Sequence, residues 1–204
     1  MNSTPAILFV CLWASAVFAA DEPRPLGEER RQAGFTACFD RGAITSLKRI
    51  ADAHDTDYIH AGARFADLQL RWRTNLGAWQ AVTTRQLTEA GEISVRAPEG
   101  AAVHQAGWSA GNESAPGPRV ETRFEFRNDN TLAWTITLHN PRSEPIEIGD
   151  LAFQCPMNTK YEWDRDTTYH RRVIRHSLIA GHGSFLFWMR CDAQGPYLLL
   201  TPSP

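Results

Sequence analysis

Between residues 119 and 139 the chain carries two runs in which every second position is apolar. Val120, Thr122, Phe124 and Phe126 form one set and Leu132, Trp134, Ile136 and Leu138 the other. Arg119, Glu121, Arg123, Glu125, Arg127, Thr135, Thr137 and His139 take the alternate positions. A period of two puts each set on one face of a strand, so the stretch predicts a half-buried antiparallel hairpin. Its register follows, because a slip of one residue would turn one apolar set into solvent. Phe126 then faces Leu132, Phe124 faces Trp134 and Thr122 faces Ile136. That pairing leaves Asn128-Asp129-Asn130 as the loop, with Asn130 able to take the left-handed conformation such a loop needs at its last position.

The same reading extends along the chain. Residues 35–40 and 43–50 predict two strands joined by an Arg41-Gly42 turn, and residues 52–58 a polar loop. Residues 66–73 alternate, with Leu68, Leu70 and Trp72 on one face. Asn75-Leu76-Gly77 turns the chain into a strand over 79–85, and 93–97 is a further short strand. Residues 98–118, with four glycines and terminal prolines, read as a long irregular loop. Residues 145–153 form a strand in which the apolar parity changes between Ile148 and Leu151, predicting a bulge near Gly149-Asp150. Segments 172–179, 184–190 and 197–201 complete the set. No amphipathic helix of ten or more residues emerges. Many short strands joined by turn chemistry predict an all-β, antiparallel β-sandwich. A buried last strand with only Thr201-Pro202-Ser203-Pro204 after it predicts a sheet incomplete at the C-terminus.

Composition narrows the class. With 204 residues, 22% charged and a formal charge of −2, one globular domain is expected, with no electrostatic reason for a nucleic-acid partner. Residues 6–18 are apolar and end in Val17-Phe18-Ala19-Ala20, the pattern of a signal peptide over 1–20. A leader over 21–33 and the sandwich over 34–204 follow. A membrane anchor is the rival, but the run falls short of the roughly 20 residues a span needs. The chain is therefore expected to be secreted or periplasmic, with no membrane association after signal removal. Cys11 leaves with the signal. Cys38, Cys155 and Cys191 permit one disulfide at most, match no zinc spacing and read as buried thiols.

Several residues carry possible chemistry. His176 and His182, facing each other across an Ala180-Gly181 turn, could share a ligand. A metal site normally wants three protein ligands, so none is expected, and no cofactor either. Glu162, Asp164 and Asp166 alternate near Trp163 and Tyr169, and a carboxylate pair beside aromatics is what glycoside cleavage uses. A solvated acidic loop explains them equally. Gly181-His182-Gly183-Ser184 lacks the glycine required two residues after a nucleophilic serine, and a tight turn accounts for it better. Trp108 and Trp163 stand in polar stretches. Each is a platform for a sugar ring, or an aromatic folded back onto the sheet.

Asp40-Arg41-Gly42-Ala43-Ile44-Thr45-Ser46-Leu47 and Asp55-Thr56-Asp57-Tyr58-Ile59 resemble the amino-terminal β-sandwich of a family of large secreted bacterial proteins. That family is of unassigned function and similar to glycoside hydrolases. The resemblance continues through Trp134-Thr135-Ile136-Thr137-Leu138-His139-Asn140 and Pro145-Ile146-Glu147-Ile148-Gly149-Asp150-Leu151. It is most specific in Arg175-His176-Ser177-Leu178-Ile179-Ala180-Gly181-His182-Gly183-Ser184-Phe185 and Gly195-Pro196-Tyr197-Leu198. It implies a galactose-mutarotase-like supersandwich, normally followed by a helical (α/α) toroid that would hold the catalytic residues and is not in this sequence. The expectation is a noncatalytic module, truncated from or accessory to a glycoside-hydrolase-like protein. It would contact carbohydrate or a helical toroid domain through Trp108, Trp163, Asp166, Tyr169, His176, His182 and Ser184. One alternative is a stand-alone sugar epimerase or glycoside hydrolase, with His176 or His182 as acid and Glu162 or Asp164 as base. Another is a protein that completes a sheet with a second subunit.

Overall fold

The computed structural model describes residues 27–52, 56–97, 102–112, 115–128, 130–158, 173–180, 183–190 and 198–202. Among these, four antiparallel sheets form. The first joins β1 (Glu28–Gln32), β2 (Phe35–Asp40) and β3 (Ala43–Arg49) in that order. Next along the chain are β4 (Leu68–Thr74), β5 (Gln80–Thr83) and the helix α1 (Thr84–Ala90). A four-stranded sheet orders β6 (Ser94–Arg96), β7 (Val103–Asn112), β8 (Ala115–Arg127) and β9 (Thr131–His139) consecutively. β10 (Ile146–Phe153) returns to pair with β4, giving the order β10-β4-β5. β11 (Val173–Ala180), β12 (Gly183–Arg190) and β13 (Leu198–Leu200) form the last sheet.

The β8–β9 hairpin has the register that its apolar period dictates. Phe126 pairs with Leu132, Phe124 with Trp134 and Thr122 with Ile136. Asn130 closes the loop at φ 60°. The inward side chains of the four-stranded sheet serve two cores. At one end Phe124 and Phe126 pack with Phe35, Phe39, Ile44 and Leu47 of β2 and β3 and with Trp188 and Leu198. At the other, Val120, Ala106, Trp108 and Ala110 pack with Leu68, Leu70 and Trp72 of β4 and Leu87 of α1. Trp134 touches both. The opposing layer is stitched together where Ile44 and Phe65 exchange backbone hydrogen bonds of 3.0 and 2.8 Å. The result is an all-β sandwich, with the β6-β7-β8-β9 sheet as one layer and strands of the β1-β2-β3 and β10-β4-β5 sheets opposite.

Three elements depart from the sequence reading. The stretch expected as a long loop over 98–118 holds β7 and the start of β8. Its inward residues, His104, Ala106, Trp108 and Ala110, do alternate with exposed or half-buried ones. Alanine and glycine have low strand propensity and hid the period, yet small residues are what the packing requires. A Cβ on Gly117 would lie 2.6 Å from the Ala110 carbonyl oxygen and 2.8 Å from the Trp72 indole. The leader expected over 21–33 contains β1. Its buried residue is Arg30, whose guanidinium donates to the Glu28 carboxylate at 2.5 Å and the Ala97 carbonyl at 2.6 Å. A charged strand carries no apolar signature. Finally, the strand expected over 79–85 gives way to α1 at Thr84. Thr83 is the N-cap of a capping box with Gln86, and Gly91, at φ 75°, terminates the helix.

Candidate functional site

Glu162, Trp163, Asp164, Asp166, Tyr169 and His182 lie outside the described residues. His176 and Ser184 fall on the β11–β12 hairpin, whose ladder closes at Ala180 and Gly183. His176 is opposite Phe187, and Ser184 opposite Ile179. Trp108 is corrected. It belongs to β7 rather than a loop, is 4% exposed and packs inside the second core. An indole so enclosed offers no face to a sugar ring. Among the described residues no group of three side chains is gathered to hold a metal ion.

Two ionisable groups, the half-buried Asp57 and the buried His104, are committed to the fold. The Asp57 carboxylate accepts hydrogen bonds from the backbone N–H of Leu47 at 2.9 Å and of Ile59 at 3.0 Å. Burial pushes its pKa up, against the effect of those bonds. His104 is 1% exposed, stacks on Phe39 at 4.0 Å and hydrogen-bonds the Arg41 carbonyl through Nε2. Nε2 is therefore the protonated nitrogen, and Nδ1 has no hydrogen-bond partner. Burial pushes its pKa down. Cys38 is a free, buried thiol whose pKa burial raises, which is the state of an inert cysteine. Cys155 is half-buried, and Cys191 lies outside the described residues. Arg64 binds Asp40 and Asp67, and Asp67 accepts from Thr84 at 2.8 Å, so this group anchors α1 against β2.

The outer face of the β10-β4-β5 sheet is different in kind. Leu68, Leu70 and Trp72 point inward, so Arg71 and Arg73 point out, and each meets the residue opposite it on β10. Arg71 Nε lies 2.9 Å from Asp150 Oδ2, and Arg73 Nη2 lies 2.6 Å from Glu147 Oε2. Trp79 reaches over them from the turn before β5. Its ring centroid is 4.8 Å from the Arg71 guanidinium carbon and 4.5 Å from that of Arg73. The far edge of the indole reaches the β10 bulge, between Ile148 and Asp150, where Gly149 makes room. A Cβ at Gly149 would fall 2.7 Å from the ring. Trp79 keeps 40% of its surface exposed. An indole beside fixed donors and acceptors can stack on an apolar ligand face and bind its polar edge. In sequence, Trp79 falls at the start of the strand expected over 79–85 and carries no mark of exposure of its own. The available signal was its position after the Asn75-Leu76-Gly77 turn, level with the outward arginines.

A second exposed region lies where the two layers end. β9 and β10 are edge strands of their sheets. Leu138, Ile148, Leu151 and Phe153 are exposed there. Phe153 sets its ring edge-on to Trp134 at 5.0 Å and lies 6.4 Å from Phe65. Nearby, Ile44, Phe124, Trp134, Trp188 and Leu198 help line an apolar cavity of about 50 Å³.

No protein-family model matches the chain, and no curated protein sequence matches it. Among solved structures the fold is similar to part of a polysaccharide lyase. The overlay has a TM-score of 0.50 and 14% sequence identity, and covers 85% of this chain. The chain spans 24% of the length of that lyase.

Proposed function

We propose that the chain is a secreted, noncatalytic β-sandwich module of a carbohydrate-active protein. It acts by contacting glycan or a helical domain of the same assembly. In this reading the sandwich is of the galactose-mutarotase-like supersandwich type. The observation that carries it is the overlay of nearly the whole sandwich on a small part of a polysaccharide lyase. In this reading the sandwich serves a larger protein by positioning rather than by reacting. The half-buried Asp57 and the buried His104 fit this division of labour, because each is hydrogen-bonded to the backbone of this chain. The helical-domain half rests on the apolar rim of Leu138, Ile148, Leu151 and Phe153, a kind of patch that marks a contact surface.

The test is a glycan microarray of the folded chain, with calorimetric titration of any hit. Light scattering and dye binding at the rim are run in parallel. Glycan binding, or a monomer that binds an apolar dye, is expected. A monomer that binds neither glycan nor dye defeats the proposal. Turnover in sugar anomerisation or glycoside-cleavage assays that His176→Ala or Asp164→Ala abolishes would defeat the noncatalytic part.

A further inference from the structure

The geometry points to the outer face of the β10-β4-β5 sheet as a binding site for a neutral pyranose unit. Trp79 is the stacking platform, and the Arg71–Asp150 and Arg73–Glu147 pairs are its hydroxyl-binding flanks. The inference deepens the carbohydrate half of the function proposed above and rests on it.

Three observations support a built site rather than a stray surface aromatic. The ring is seated: it crosses from the β5 side of β4 to the β10 bulge, and only glycine at 149 leaves space for its edge. It is also held, because two guanidinium groups lie within 5 Å of its centroid, each anchored by its own carboxylate. A platform fixed before binding loses little side-chain freedom when a ligand arrives. Yet Trp79 remains 40% exposed, although the adjoining face is polar. A pyranose presents an apolar C–H face to such a surface and hydroxyl groups around its rim.

The flanking pairs supply the rest. A guanidinium has five N–H donors and a carboxylate about four acceptor positions; Arg71 sets one nitrogen and Arg73 two against the paired acid, so most of the capacity stays unused. The four side chains keep between 25% and 57% of their surface exposed. Neighbouring sugar hydroxyls both donate and accept, and so can bond a carboxylate and a guanidinium together. The charge balance selects the ligand. Arg71 and Arg73 are each paired with one acid, and with no net charge the site gives no advantage to a uronate or sulfated sugar.

The test compares the intact chain with Trp79→Ala, Trp79→Phe, Gly149→Ala and Asp150→Asn, each checked by thermal melting. The probes are neutral cello- and galacto-oligosaccharides and an oligogalacturonate, titrated calorimetrically at low and high salt. Binding of a neutral oligosaccharide is expected, nearly independent of salt. Affinity should fall at least tenfold in Trp79→Ala and less in Trp79→Phe. Gly149→Ala should also weaken it, because the ring is displaced but not removed. Unchanged neutral binding by Trp79→Ala overturns the site and leaves the carbohydrate reading intact. Tight binding of the uronate alone overturns the neutral class. No binding of any saccharide, here or on the microarray, overturns the site and the carbohydrate reading together.

Discussion

Replacing Phe124 by alanine probes the register on which the sandwich is built. Phe124 is 1% exposed. It stacks on Trp134, its cross-strand partner, at 5.6 Å and 6°, and lies tilted against Phe39 at 5.4 Å and 53°. Burying its side chain is worth about 1.5–3 kcal/mol, and each ring pair adds about 0.5–1.5 kcal/mol. With the cavity left behind, the loss should be about 3–5 kcal/mol, a large share of the roughly 5–15 kcal/mol that holds a domain folded. Thr135, one residue from Trp134 along β9, is exposed and opposite Arg123. Its replacement by alanine should change stability by less than about 0.5 kcal/mol. Urea unfolding followed by far-ultraviolet circular dichroism measures both, with the slope against denaturant unchanged if only stability shifts. Equal costs for the two variants, or the larger one at Thr135, would refute the assigned facing of the hairpin.

Protonating His104 would create a cation with an unpartnered Nδ1–H in the core. Because burial lowers its folded pKa below the ordinary 6.5, its contribution is full above that value and is lost as pH falls below it. The stability of the wild-type chain should therefore drop on acidification from pH 7, and that of His104→Gln should drop less; parallel pH profiles would contradict this. Thr83→Ala removes the α1 capping box and should cost about 1 kcal/mol in urea titration, whereas no loss would mean that α1 is held by Leu87 and Thr84 alone. Gly117→Ala drives a methyl against the Ala110 carbonyl and the Trp72 indole and should cost about 1–3 kcal/mol. An unchanged melting temperature would show that β8 moves aside freely.

How much of this was legible depended on whether a residue's own identity announced its environment. The β8–β9 register and the Ile148/Asp150 bulge were readable because large apolar side chains mark the buried face position by position. β7 was not, since its inward set includes Ala106 and Ala110, whose smallness reflects the close approach of the opposing layer rather than an apolar signal. β1 was hidden for the opposite reason. Its buried Arg30 is satisfied by Glu28 and by the carbonyl of Ala97, 67 residues away, a partner that local pattern cannot supply. α1 was announced by Thr83 and Gln86, but seven residues are too few for a helical period to outvote the strand before it.

The site was harder for a related reason. Trp108 stands in a polar stretch of sequence, the usual mark of an exposed aromatic, whereas Trp79 stands at the start of an expected strand. Polarity of neighbours in sequence says little about exposure when strands alternate. Trp108 sits on the inward parity of a small-residue strand, whereas Trp79 precedes β5 and lies across the outward parity of β4. Its surroundings come from three segments: the turn before β5, Arg71 and Arg73 on β4, and the Glu147–Asp150 bulge of β10. The bulge was visible as a change of parity and the arginines as an alternation, yet only the β10-β4-β5 order brings them under one ring. On the proposed reading, function lies in what the outer face collects, while the inner face, the better predicted of the two, keeps that collection in place.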